Sequence, residues 1–133
     1  MNNLLLKEAK EYFNSIGIDP IEIVVPIQSD VYCIRRKDRQ WAAYIIGNDI
    51  PIVEFGRYNY MCGFDRGYCL VCVYDKNRYT FANRGIINEV GEEVIKPYTF
   101  NNICNFYGRD EPYITIFTED EVKKIDRNFL ELL

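Results

Sequence analysis

An internal repeat limits what this chain can fold into more than any other feature of it. Moving residues 31–66 along by 42 positions, with no gap, brings Val31-Tyr32 onto Val73-Tyr74, Arg36 onto Arg78 and Ile45 onto Ile87. The same shift brings Asn59, Cys62 and Phe64 onto Asn101, Cys104 and Phe106. Agreement is densest between Asn59-Tyr60-Met61-Cys62-Gly63-Phe64 and Asn101-Asn102-Ile103-Cys104-Asn105-Phe106. A period of this length marks a unit that cannot bury its apolar side alone and is covered by a copy of itself. Tyr58, Met61 and Phe64 are therefore expected in places equivalent to Phe100, Ile103 and Phe106. The repeat constrains architecture and is silent about chemistry.

Around it the elements are legible from periodicity and punctuation. Asn3 is placed to cap a helix over residues 4–16, in which Leu5, Leu6, Ala9, Tyr12, Phe13 and Ile16 recur at helical spacing and Gly17 ends the run. After Asp19-Pro20 come short β-branched and aromatic runs, read as strands near 21–27, 31–36, 40–46, 50–55, 68–75, 78–82, 84–88, 92–96 and 112–117. Short turns such as Lys37-Asp38-Arg39 and Asn88-Glu89-Val90-Gly91 imply antiparallel neighbours. In the latter, Asn88 can start a type I turn and Gly91 can close a bulged hairpin. Thr118 and Glu121 have the spacing of a capping box, and Val122, Ile125, Phe129 and Leu132 then form one helical stripe. The expected fold is α+β and mainly antiparallel β. It is a single domain over 1–133, with a helix at 4–16, β units at about 31–72 and 73–117, and a C-terminal helix at 119–132.

Composition excludes several classes of function. A chain of 133 residues can bury a core without a disulfide or metal, and its 48% apolar content is that of a folded protein. The net charge of −4 argues against a nucleic-acid partner, since phosphate binding draws on clustered Lys and Arg. The start lacks the basic leader of a signal peptide and no window of about 18 apolar residues exists for a span, so a cytoplasmic protein that avoids membranes is expected, and the richness in Ile, Asn, Lys and Tyr suggests an AT-rich, bacterial genome. There is no histidine, which removes the commonest general base and zinc ligand.

Five cysteines are then expected as reduced, mostly buried thiols that bind no metal. Cys69 and Cys72 have the spacing of a redox or metal pair, but on a strand they point to opposite faces. Cys62 and Cys104 are repeat partners and read as small core residues. The acidic pairs Asp110-Glu111 and Glu119-Asp120-Glu121 read as loop and helix start. The run Arg35-Arg36-Lys37-Asp38-Arg39 reads as a charged hairpin turn as readily as an anion site. No catalytic, cofactor or metal residue is assigned.

The second copy resembles the WG-repeat family. Arg84-Gly85-Ile86-Ile87-Asn88-Glu89-Val90-Gly91-Glu92-Glu93-Val94-Ile95-Lys96-Pro97-Tyr98 is similar to its pattern of a Trp-Gly or related pair, two apolar residues, Asp or Asn, a turn Gly, an apolar pair, Pro and an aromatic. Phe100-Asn101-Asn102-Ile103 and Phe106 continue the likeness, which covers roughly 84–117 well and 41–75 poorly. The resemblance implies a row of β-hairpin units without catalytic residues. A non-catalytic protein-interaction module is therefore expected, touching another protein through Arg57, Tyr60, Asp65, Arg66, Tyr107 and Arg109, because Tyr and Arg are enriched at interface hot spots. The size and acidity also suit an immunity-type protein that covers a toxin's cleft by electrostatic steering. An enzyme working without His, through carboxylates, Tyr or Cys, is the remaining alternative.

Overall fold

The computed structural model describes residues 2–75, 80–97, 101–104, 113–118 and 122–126. Helix α1 spans Asn2–Ser15, so Asn3 lies inside it rather than at its cap. It ends as its sequence implies: Gly17 takes φ 86°, its N–H donates to Asn14 and that of Ile18 donates to Phe13. Ala9 and Phe13 are fully buried, with Tyr12 and Ile16 beside them, whereas Leu6 is exposed.

Strands β1 (Glu22–Val24), β2 (Val31–Arg35) and β3 (Trp41–Ile45) form a three-stranded antiparallel sheet in that order. The second sheet contains β4 (Tyr60–Asp65), β5 (Tyr68–Asp75), β6 (Thr80–Asn88), β7 (Glu93–Ile95), β8 (Asn101–Cys104), β9 (Tyr113–Thr118) and β10 (Val122–Asp126). Its order is β10-β9-β8-β6-β5-β4, with β7 also paired to β6. All its pairs are antiparallel except β6 with β8, which meet in parallel at Asn83 and Asn101.

Alternation sorts the side chains into layers. Val31, Cys33, Trp41 and Ala43 face Met61, Phe64, Cys69, Val71 and Ile87 in a core between the sheets. The alternate residues Tyr32, Ile34, Ala42 and Tyr44 pack under Ala9 and Phe13 of α1. Strands β2 and β3 are therefore buried on both faces, which explains their nearly unbroken apolar sequences. On the far side of the second sheet, Leu70, Ile86 and Ile103 form a third cluster with Cys62, Tyr68, Val94 and Ile95.

The architecture is α+β and mostly antiparallel, with several corrections to the sequence expectation. Residues 122–126, expected in a C-terminal helix, form β10 and pair with β9 from Val122↔Phe117 to Asp126↔Tyr113. The Tyr-Ile-Thr-Ile-Phe-Thr run of β9 is a strong strand former, and its unpaired edge outweighs the local capping signal. The rest of that helix, 119–121 and 127–132, lies outside the described residues. The strand expected at 50–55 reduces to a bridge between Ala43 and Val53, because Pro51 has no N–H to donate. The two short strands expected at 78–82 and 84–88 are, over the described residues from Thr80 onward, one strand, β6. Strands β4 and β8 stand where the sequence pattern predicts none.

At an offset of 42, β3 falls on residues 83–87 within β6, and Val53 falls on Ile95 in β7. Val53 bridges Ala43, while Ile95 pairs with Ile86. Met61 and Ile103, expected in equivalent places, are both buried strand residues, but Met61 packs in the core between the sheets and Ile103 in the cluster on the far face. Phe100 and Phe106 lie outside the described residues.

Candidate functional site

Two hairpin tips at one end of the second sheet line a cavity, and the loop between β1 and β2 packs beside them. The first tip is the two-residue turn Arg66-Gly67, closed by the pair Asp65↔Tyr68. Both turn residues have positive φ, 53° and 88°, as a type I′ hairpin requires. Gly67 meets that demand without strain. Arg66 does not, because a β-carbon in the left-handed region costs about 1–2 kcal/mol. Its Nε donates to Asp65 Oδ1 at 3.1 Å.

The second tip is the Asn88–Gly91 turn, which follows the chemistry legible in its sequence. Gly91 N–H donates to the Asn88 carbonyl, Asn88 N–H donates to that of Glu92, and Gly91 has φ 83°. The Asn88 side-chain oxygen accepts from the N–H groups of Val90 and Glu92. Together Arg66, Gly67, Tyr68, Asn88, Glu89 and Val90 line a cavity of about 300 Å³.

The loop is Ile27-Gln28-Ser29. Ile27 bridges Asp65 in parallel, donating to Phe64 O and accepting from Arg66 N–H, and Ser29 Oγ donates to Glu89 Oε2 at 2.8 Å. Gln28 also has a left-handed φ, 49°. Two non-glycine residues at positive φ thus sit side by side at this end of the molecule, and Ile27 and Val90 are left exposed there, Val90 at 68%.

The residues expected to touch a partner divide among separate places. Arg66 is at the cavity. Asp65 is only 2% exposed and serves as the anchor of Arg66 instead of a surface group. Arg57 reaches the back of the second tip, donating to Gly91 O at 3.1 Å. Tyr60 lies away from the cavity, 43% exposed, its ring 5.1 Å from that of Trp41. Tyr107 and Arg109 lie outside the described residues, as do the acidic pairs at 110–111 and 119–121.

Sequence reasoning missed Glu89, Val90 and Ile27. An apolar Val at the tip of an otherwise polar turn was the available signal. The basic run at 35–39 is a hairpin in which three cations are held locally: Arg35 by Glu22, Arg36 by Asp38 and Lys37 by Asp19. The Gln40 N–H above all, with the Arg36 guanidinium, holds the Asp38 carboxyl below the ordinary carboxylate range against the opposing effect of desolvation.

Among the described residues no group of His, Cys, Asp and Glu is arranged to hold a metal ion, and no helix is long and apolar enough to cross a membrane. Cys33, Cys62, Cys69 and Cys72 are all thiols. No family model, curated protein or solved structure matches this chain.

Proposed function

We propose that this chain is a non-catalytic binding module built of two related β units, WG-repeat-like in kind, which seats a side chain of a partner protein between the Arg66-Gly67 and Asn88–Gly91 tips. The observation that carries this reading is Arg66 itself. A hairpin of this type is least strained with Asn-Gly or Gly-Gly, yet a long cation is kept at φ 53° beside a cavity rimmed by an exposed Val90. Backbone strain of this kind concentrates where a structure presents groups to a ligand.

Support for paired units comes from positions related by the offset of 42. Val53 bridges Ala43 in the first, and its counterpart Ile95 pairs in the second with Ile86, the neighbour of Gly85, which is the counterpart of Ala43. Asn83 meets Asn101 in the second, and in the first, where their counterparts are Trp41 and Asn59, the Trp41 ring packs at a tilt of 57° against Tyr60, the neighbour of Asn59. Gly85, second of the Trp-Gly-like pair, has a physical reason to be glycine. A β-carbon there would lie 2.4 Å from the Ile95 carbonyl oxygen and 2.9 Å from Pro97. Its counterpart Ala43 carries a β-carbon, so the first unit cannot close its bridge in the same way.

The test is site-specific photocrosslinking in the producing cell. A photoreactive phenylalanine analogue replacing Val90 should form an adduct with one protein, and the same analogue replacing Lys37 should not. Val90→Asp, an exposed change expected to alter stability by no more than about 0.5 kcal/mol, should abolish that protein's co-purification. Equal adducts from both positions, or none from position 90, would overturn the assignment.

A further inference from the structure

A second cluster lies on the outer face of the same sheet, away from the cavity. Strand register places Tyr60 of β4 directly opposite Cys72 of β5, and Cys72 directly opposite Arg84 of β6. Directly opposed residues share a face and touch. The pairing of β4 with β5 is irregular between Met61 and Phe64, and Cys62 lies in that bulge on the side of the Leu70 and Ile86 cluster. There Cys62 shares a side-chain hydrogen bond with Cys72. Arg84 Nε is buried and has no hydrogen-bond partner among the described residues.

We propose that Cys62 and Cys72 are a cross-strand dithiol that hydroperoxides oxidise to a disulfide, with Arg84 as the positioning cation. The choice between thiolate chemistry and a metal site follows from charge. A partly buried guanidinium opposite Cys72 favours a sulfur anion and opposes a metal cation on the same sulfur. The thiols are also unequal. The hydrogen bond from Cys62, and then the Arg84 charge, lower the Cys72 thiol in spite of its burial; the same hydrogen bond, with burial added, pushes Cys62 up. Tyr60, itself raised by burial, by Glu22 and by the two thiols, stays neutral beside them.

The chemistry balances with hydrogen peroxide as oxidant. Cys72 gives its proton to solvent, and its sulfur attacks one peroxide oxygen. The O–O bond breaks, and the departing hydroxide takes up a proton to become water. Cys62 sulfur then attacks the sulfenic sulfur of Cys72; an S–S bond forms as S–O breaks, and the leaving hydroxide takes the Cys62 proton as a second water. Two thiols and one peroxide give one disulfide and two waters. Cys72 is 5% exposed and Cys62 is partly exposed, so the peroxide enters from the Cys62 side.

The experiment uses the full chain, reduced, with excess hydrogen peroxide. The expected result is loss of two thiols and of about 2 Da by intact mass, with peptide mapping of a Cys62–Cys72 bridge and no change at Cys33, Cys69 or Cys104. Cys62→Ser should leave a sulfenic acid on Cys72 that dimedone captures. Arg84→Gln should move the pH profile of the oxidation rate upward and slow the reaction near neutral pH by roughly tenfold, and Arg84→Lys should restore much of it. A bridge at any other pair, an intermolecular bridge, or a rate and pH profile unaltered by Arg84→Gln would overturn the proposal. So would oxidation no faster than that of an unstructured cysteine peptide.

Discussion

Strand β5 carries two thiols three residues apart, and the two environments they reach are opposites. Cys69 points into the core between the sheets, fully buried, with its sulfur 3.9 Å from that of Cys33 on β2. Cys72 points to the outer face, toward Cys62 and Arg84. Burial is what dominates at Cys69, and it pushes that thiol well above its ordinary range. At Cys72 burial is present too, but a donor and a cation outweigh it. Both sulfurs have a thiol neighbour, so what separates them is that Cys72 receives the hydrogen bond from Cys62 and has Arg84 beside it, whereas Cys69 is dominated by its burial.

The contrast between the two faces can be broken most sharply by truncating the aromatic residues of β4. Phe64 is almost fully buried in the core between the sheets. Phe64→Ala should cost about 3–5 kcal/mol, read as a lowered urea midpoint at unchanged slope. Tyr60→Ala, which loses a half-exposed ring and its contact with Trp41, should cost about 1 kcal/mol. Equal losses would mean that the inner and outer faces of β4 have been assigned the wrong way round.

A smaller effect separates the thiol pairs. Cys69→Ser places a hydroxyl where a weakly polar sulfur sat, in the dry core, and should cost about 1–3 kcal/mol. Cys62→Ser on the partly exposed face should stay within about 1 kcal/mol by the same denaturation. A Cys62→Ser loss as large as that of Cys69→Ser would show that the outer cluster is as closed as the inner one.

The smallest effect extends the comparison to the layer under α1. Burial raises the Tyr32 and Tyr44 phenols, with Glu8 and Asp30 adding to it at Tyr32, while Arg36 partly offsets it at Tyr44. A phenol raised in the folded state contributes stability that is complete below its unfolded value of about 10 and is lost as pH rises through the folded one. The urea midpoint should therefore fall as pH is raised above about 10, and Tyr44→Phe should flatten that fall. An unaltered alkaline slope in Tyr44→Phe would show that this phenol is not shielded by the helix.

How much of this was legible varied from residue to residue for physical reasons. The end of α1 at Gly17, β5 at 68–75 and the Asn88–Gly91 turn rest on local chemistry, and all three stand where the sequence puts them. Leu6 has the spacing of an inward residue, yet it is exposed because α1 covers the sheet only from Ala9 onward among the residues whose side chains are described. At the candidate site Arg66 was picked out as an exposed cation. Its partners were not, because Ile27, Asp65 and Glu89 come together only when a loop and two hairpin tips are stacked.

The sequence by itself determined the helix, the antiparallel strand-and-turn character of the chain and the opposite headings of Cys69 and Cys72, because these depend on period and on neighbours a few residues away. Tertiary structure alone decided that residues 122–126 are a strand, that Asp65 is buried, and that Cys62, Cys72 and Arg84 meet. Each of those depends on which strand lies alongside, and the free energy of an edge paired or a charge buried exceeds the few tenths of a kcal/mol by which local propensity differs.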